Sequence, residues 1–213
     1  MDNNNNQNPH LISYLSMRRA IGILGISLPF VLIIGAFIKA EPQALQDSIS
    51  DYYHTGMRDY FVGILCAVAL FLFSYKGYVN EKEKYKFKDN IAGNLAAIFA
   101  LLVAFCPTSG SLIGKIHLVS AGLFLLTLSY FSFFLFTKGT SDTVQKRRRK
   151  RVYRSCGIII AGALLLLILY FAFLKELFPC IQNIKPVLLL ETVALIAFGT
   201  SWLIKGKFLL KDK

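Results

Sequence analysis

Apolar residues in this chain fall into six long blocks, at roughly 19–39, 59–78, 90–107, 112–137, 153–174 and 186–204. Each block holds about 18–25 residues, enough as a helix to cross a hydrocarbon core about 30 Å thick. None alternates with the period of two that a barrel strand needs. The pattern predicts an all-α, polytopic integral membrane protein with six transmembrane helices. The expected organisation is a mobile, Asn-rich N-terminus over 1–18, a six-span domain over 19–206 and a short basic tail over 207–213. The first block is too long for the apolar region of a signal peptide, about 7–15 residues, and reads as an uncleaved signal anchor.

The first connection has a pattern of its own. Pro42 suits the first turn of a helix. Leu45, Ile49, Tyr52 and Tyr53 then follow at helical spacing on one face, with Asp47, Ser48, Ser50, Asp51 and His54 on much of the rest. This predicts a short amphipathic helix between the first two spans, broken at Gly56. Small residues mark close helix contacts: Gly22 and Gly25 in the first block, Gly93, Ala96, Ala97 and Ala100 in the third, Gly157, Ala161 and Ala163 in the fifth. Tyr60, Phe61, Tyr75, Tyr78, Tyr153 and Trp202 sit near block ends, where an aromatic belt is expected.

Charge then orients the blocks. The net charge is +12, from 24 Lys and Arg against 12 Asp and Glu. Nineteen of the basic residues lie before the first block, in the second and fourth connections, or after the last block. Lys39, Arg58, Lys115, Lys175 and Lys185 are the remainder. Basic loops stay cytoplasmic, so both termini are expected in the cytoplasm of a cell membrane, with the first connection outside. The run Lys146 to Arg151 then faces anionic inner-leaflet lipid, and nucleic acid is not an expected partner.

Composition adds little beyond this. The chain is 55% hydrophobic with a mean hydropathy of +0.53. Four cysteines make no disulfide framework. Cys106 and Cys180 share the expected external side, where either a bridge or two free thiols fit.

The polar residues carry the candidate chemistry. Ser48 to Asp59 concentrates Ser50, Asp51, Tyr52, Tyr53, His54, Arg58 and Asp59 at one membrane boundary. Cys106-Pro-Thr-Ser-Gly110, His117 and Glu191 fall at a similar depth from other segments. Ionisable groups inside a bilayer are costly and point to function by default. His54, His117, Glu191 and Asp59 or Asp51 offer the nitrogen and oxygen ligands of a zinc site. Ser50 with His54 or His117 and an aspartate offers a serine hydrolase set, since Ser50 and His54 share a helical face. His117 with Glu191 offers a proton or ion relay for a small transporter or channel. The plainer alternative is a polar pocket for a lipid or other small amphiphile. There His117 and Glu191 hydrogen-bond each other or a backbone turn, and Arg58 pairs with Asp51 or Asp59.

Several of these motifs also carry a resemblance. Ser48-Ile-Ser-Asp-Tyr-Tyr-His-Thr-Gly-Met-Arg-Asp59, Phe71-Leu-Phe-Ser-Tyr-Lys-Gly-Tyr78, Asp89-Asn-Ile-Ala-Gly-Asn-Leu-Ala96 and Glu191 with Phe198-Gly-Thr-Ser-Trp-Leu-Ile-Lys-Gly206 resemble small, uncharacterised bacterial six-span proteins. These stand near the autophagy-modulator and GPI-lipid-remodelling membrane proteins. The resemblance implies a lipid-associated role and carries over no catalytic residue. Ser50-x3-His54 with Asp59 also echoes the ceramidase and adiponectin-receptor type of zinc hydrolase. The later His-x3-His of that type is missing here, and Glu191 stands alone in the last block.

Overall fold

A computed structural model of the chain describes residues 9–75, 86–110, 112–139, 143–177 and 179–210. The Asn tract at 3–8, Lys76, Lys82, Lys84, Tyr78, Lys211 and Lys213 lie outside these residues. Among the described residues there is no strand. Six long helices form: α1 (Pro9–Ile38), α2 (Arg58–Phe73), α3 (Lys86–Phe105), α4 (Leu112–Tyr130), α5 (Val144–Leu169) and α6 (Pro186–Lys205). α4 runs on through a π turn at Phe131–Leu135, and α5 through one at Tyr170–Leu174 into Lys175–Leu177.

Four helical stretches are long and apolar enough to cross a membrane: Tyr14–Ile38, Leu112–Leu135, Val144–Leu177 and Pro186–Lys205. They fit a multi-pass membrane protein. In the other two helices the apolar stretch is shorter than the sequence blocks suggested. α2 has 16 residues, which span about 24 Å at 1.5 Å each. It stops because Ser74 turns its hydroxyl back onto the Leu70 carbonyl at 3.0 Å and Tyr75 packs inward. The apolar part of α3 is Asn90–Phe105.

Three boundaries differ from the sequence reading in instructive ways. The N-terminal segment is already helical from Pro9, so the described part of 1–18 belongs to α1. The basic run Lys146 to Arg151 is not a loop but the first turns of α5, capped by Thr143, whose hydroxyl accepts from the Lys146 amide at 3.2 Å. The amphipathic helix expected after Pro42 is absent. Residues 41–49 are turns and bends, and Ser50–His54 is a five-residue 3-10 helix. Local and long-range partners claim the groups a helix would need. The Asp51 amide donates to Ser48 Oγ at 3.1 Å, the Ile49 amide to Glu191, and the Asp47 carbonyl accepts from the Leu188 amide at 3.0 Å.

The helices pack as a ring in chain order. Each lies against its sequence neighbours, and α6 closes the ring on α1. Glycine makes that closure. A Cβ on Gly199 would stand 2.5 Å from the Gly22 carbonyl oxygen, and one on Gly22 would stand 2.8 Å from that of Gly199. Where lipid gives helices no hydrophobic drive to associate, close backbone approach of this kind supplies the packing. Gly93 likewise meets the Leu72 carbonyl of α2, and Gly157 meets the Phe133 backbone of α4. Ala96, Ala97 and Ala100 are fully buried beside them.

One end of the ring is an aromatic cluster. Trp202 is fully buried, with the rings of Tyr75, Phe131, Phe136 and Phe198 5.1–6.0 Å away. Phe61, Tyr75, Tyr153 and Trp202 are therefore core residues, not a lipid-facing belt; Tyr60 is the expected belt residue that is exposed. Arg19 at this end donates to the Gly206 carbonyl at 2.9 Å, which ties the start of α1 to the end of α6.

Gly199→Val is expected to destabilise the protein by about 1–3 kcal/mol through overpacking. Gly162→Ala, where a Cβ meets nothing within 4 Å, is expected to be neutral or stabilising by about 0.5–1 kcal/mol. Thermal unfolding in detergent checks the pair. Equal stability of the two variants would contradict the closure.

Candidate functional site

The opposite end of the ring gathers the polar residues. Pro186 opens α6, and the first amides of any helix lack intrahelical partners. The 45–51 segment crosses this helix end and answers them, with the Asp47 carbonyl accepting from the third residue, Leu188. Glu191, one turn further on, accepts from the Ile49 amide at 2.7 Å through Oε2. Lys185 holds a left-handed backbone with φ of 50° and reaches back to Asp47 at 3.0 Å and to the Leu45 carbonyl. The exposed ion pair is worth at most about 1 kcal/mol, whereas the amide–carboxylate bond is of the class worth about 1.5–3 kcal/mol. Glu191 is thus the principal tether of the segment.

The 3-10 turn then anchors by its tyrosine. Tyr52 is fully buried and donates to the Ala44 carbonyl at 2.9 Å. Burial pushes its phenol above the ordinary value, so it serves as a neutral donor. Asp51 Oδ1 accepts from the Thr108 hydroxyl at 3.0 Å, and His54 Nε2 meets the same hydroxyl at 3.1 Å. With Thr108 donating to the carboxylate, His54 is the donor in its bond. The loop after α3 is thereby joined to the loop after α1.

His117 is buried on α4, and its Nδ1 stands 2.7 Å from the Cys106 carbonyl oxygen. A carbonyl only accepts, so Nδ1 carries the proton. Glu191 and His117 each take a backbone partner rather than one another. Arg58 does not pair with either aspartate. Its guanidinium lies 4.4 Å from the centre of the Tyr53 ring and bonds the Tyr53 hydroxyl at 2.7 Å.

A cavity of about 940 Å³ opens behind this segment, between α4, α5 and the start of α6. Its size lies near the upper end of ordinary ligand sites, about 300–1,000 Å³. One end is polar: Ser48, Ser50, Asp51, Thr108, His117 and Glu191 line it, with Asp47, Lys175 and Lys185. Deeper along α4 and α5 the lining is apolar, with Ala121, Leu125, Leu164 and Leu167. Leu118, Ile168 and Phe171 of this lining are about half exposed. Tyr170, the first residue of the α5 π turn, is part of the wall. A smaller space of about 50 Å³ lies further inside and shares Ser50, Ala121, Leu125 and Glu191 with the larger one.

The structure therefore divides the candidate residues. Ser50, Asp51, His117 and Glu191 meet at the cavity. Tyr52, Tyr53 and His54 brace the segment from behind. Arg58 and Asp59 are exposed at the start of α2, and neither lines the cavity. Among the described residues no three His, Cys, Asp or Glu side chains converge as metal ligands. The proposed zinc set of His54, His117, Glu191 and Asp59 is thus not assembled: Asp59 is exposed away from the cavity, and the other three each face a different partner. The Ser50–His54 pairing also fails. A 3-10 helix has three residues per turn, so positions four apart do not stack, and Ser50 is buried while His54 is exposed. All four cysteines are free, including Cys106 and Cys180.

The sequence reading missed Thr108 as a bridge, together with Lys175, Lys185 and Tyr170 on the cavity wall. Lys175 and Lys185 were visible as rare basic residues on a sparsely charged side. The role of Thr108 depends on two loops meeting, which no local pattern encodes. Comparison with known proteins finds no family model, no curated protein and no solved structure that matches this chain.

Glu191→Leu leaves the Ile49 amide without its acceptor and is expected to cost about 1–3 kcal/mol. Glu191→Gln keeps an acceptor oxygen and is expected to cost less than half of that. Amide hydrogen exchange at Ile49 and Leu188 reads the tether directly. Unchanged protection in Glu191→Leu would contradict it.

Proposed function

We propose that this chain is an integral membrane protein with six spans and both termini cytoplasmic, whose external-side cavity binds one lipid or similar amphiphile. The observation that carries the reading is one cavity whose lining is polar under the 45–51 segment and apolar deeper along α4 and α5. An amphiphile has the same division. In a bilayer its tail reaches the apolar end laterally, and its head stays beneath the segment near the membrane surface.

The topology rests on charge and on which helix ends share a face. Arg18, Arg19, Tyr75, Tyr153, Trp202 and Lys205 gather at one end of the ring, with the basic start of α5. The weakly charged connections gather at the other. The basic run is placed unfavourably for its own helix, since cations at a helix N-terminus oppose the helix dipole. An anionic inner leaflet offsets that cost, which supports an electrostatic role for Lys146 to Arg151. The short α2 is accommodated by local thinning or by flanking residues, as short spans are. The likeness to six-span lipid-remodelling proteins belongs to the same proposal.

No nucleophile–base pair is formed at the cavity among the described residues, and binding is the favoured reading over hydrolysis.

Gly122 lines the cavity, and the neighbour nearest to an added Cβ is Leu164 at 3.9 Å. Gly122→Trp is expected to fill the cavity and lower co-purifying lipid about tenfold, with thermal stability unchanged. Native mass spectrometry of the detergent-released protein measures both arms. Full lipid retention in a folded variant would sink the pocket. A cysteine placed at Asp47 is expected to react with an impermeant maleimide from outside intact cells. Labelling only after the cytoplasmic face is opened would invert the topology.

A further inference from the structure

The hydrogen-bonding capacity of the polar end specifies a head group. His117 lines the cavity, is 4% exposed, and spends Nδ1 as a donor to the Cys106 carbonyl. In the neutral ring Nε2 is then an acceptor, and the Val103 backbone also bonds this ring. Glu191 uses Oε2 for the Ile49 amide, and Asp51 uses Oδ1 for Thr108. Each carboxylate keeps a second oxygen without a protein donor. The cations divide differently. Lys185 is already engaged by Asp47 and the Leu45 carbonyl, which leaves Lys175 at the end of α5. The polar end thus offers three acceptors, two of them on carboxyl groups, beside one cation.

We propose that the cavity selects a phospholipid whose head carries a primary ammonium, held by Asp51, His117 and Glu191, with its phosphodiester toward Lys175. A primary ammonium brings three N–H donors, matching three acceptors. A quaternary ammonium has the same charge and no donor, so it leaves His117 Nε2 unanswered. A glycerol head brings hydroxyl donors without the charge and adds a net negative lipid beside two carboxylates. This inference rests on the lipid-pocket reading and sharpens it to a head-group class.

The test uses the full chain in detergent, offered phosphatidylethanolamine, phosphatidylcholine and phosphatidylglycerol with identical acyl chains, with bound lipid counted by native mass spectrometry. A preference for the ethanolamine head over the choline head of about tenfold is expected, the size set by one or two charge-assisted hydrogen bonds. Asp51→Asn preserves an oxygen for Thr108 and is expected to reduce that preference to threefold or less without abolishing lipid binding. Equal retention of all three lipids overturns the head-group assignment and leaves the pocket standing. Preference for phosphatidylglycerol overturns it too, because the cations would then govern. An ethanolamine preference untouched by Asp51→Asn removes Asp51 from the site. Retention of none of the three sinks the pocket reading itself.

Discussion

A single carboxylate on α6 holds the polar end of this protein together. Glu191 receives the Ile49 amide at 2.7 Å and so pins the segment between α1 and α2 across the start of α6. The position of that segment decides everything near it. Asp51 is brought to Thr108, His54 to the far side of the same hydroxyl, and Ser48 and Ser50 to the cavity mouth. A buried carboxylate without a donor is expensive, and a buried amide without an acceptor is expensive too. Each removes the other's cost, which makes this bond a determinant of loop geometry rather than a surface ornament.

The two ends of the ring solve different problems. At the basic end, the rings of Tyr75, Phe131, Phe136 and Phe198 pack around a fully buried Trp202. At the polar end an open volume lies between α4, α5 and the start of α6, and the π turn of α5 lines it. π turns insert an extra residue and concentrate at functional positions. Rigidity at one end and free volume at the other is the arrangement a ligand site needs, since the packed end fixes the helices that frame the cavity.

The six helices were legible in the sequence because apolar length is a one-dimensional signal. The glycine contacts were legible in part: Gly22, Gly93 and Gly157 sit where backbones approach, whereas Gly199, the partner of Gly22, was not singled out and Ala161 is exposed. The first connection was misjudged. Leu45, Ile49, Tyr52 and Tyr53 do have helical spacing, but Glu191 and Leu188, some 140 positions away, take the groups around them. The aromatics failed similarly: an aromatic near a block end reads as a belt, whereas the side it faces is set by neighbouring helices. His117 and Glu191 were picked out by the cost of ionisable groups in an apolar block. Their partners were not, because Cys106 and Ile49 act through backbone atoms that carry no residue identity.

The central claim is that an amphiphile sits inside the ring, with its tail between α4 and α5. A photoactivatable phospholipid with a diazirine in the acyl chain, incorporated into membranes carrying the protein, tests this most directly. Mass mapping of the adducts is expected to place them on Leu125, Leu164 and Leu167, inside the cavity. Adducts confined to outward-facing residues such as Ile34 and Leu70 would contradict the account.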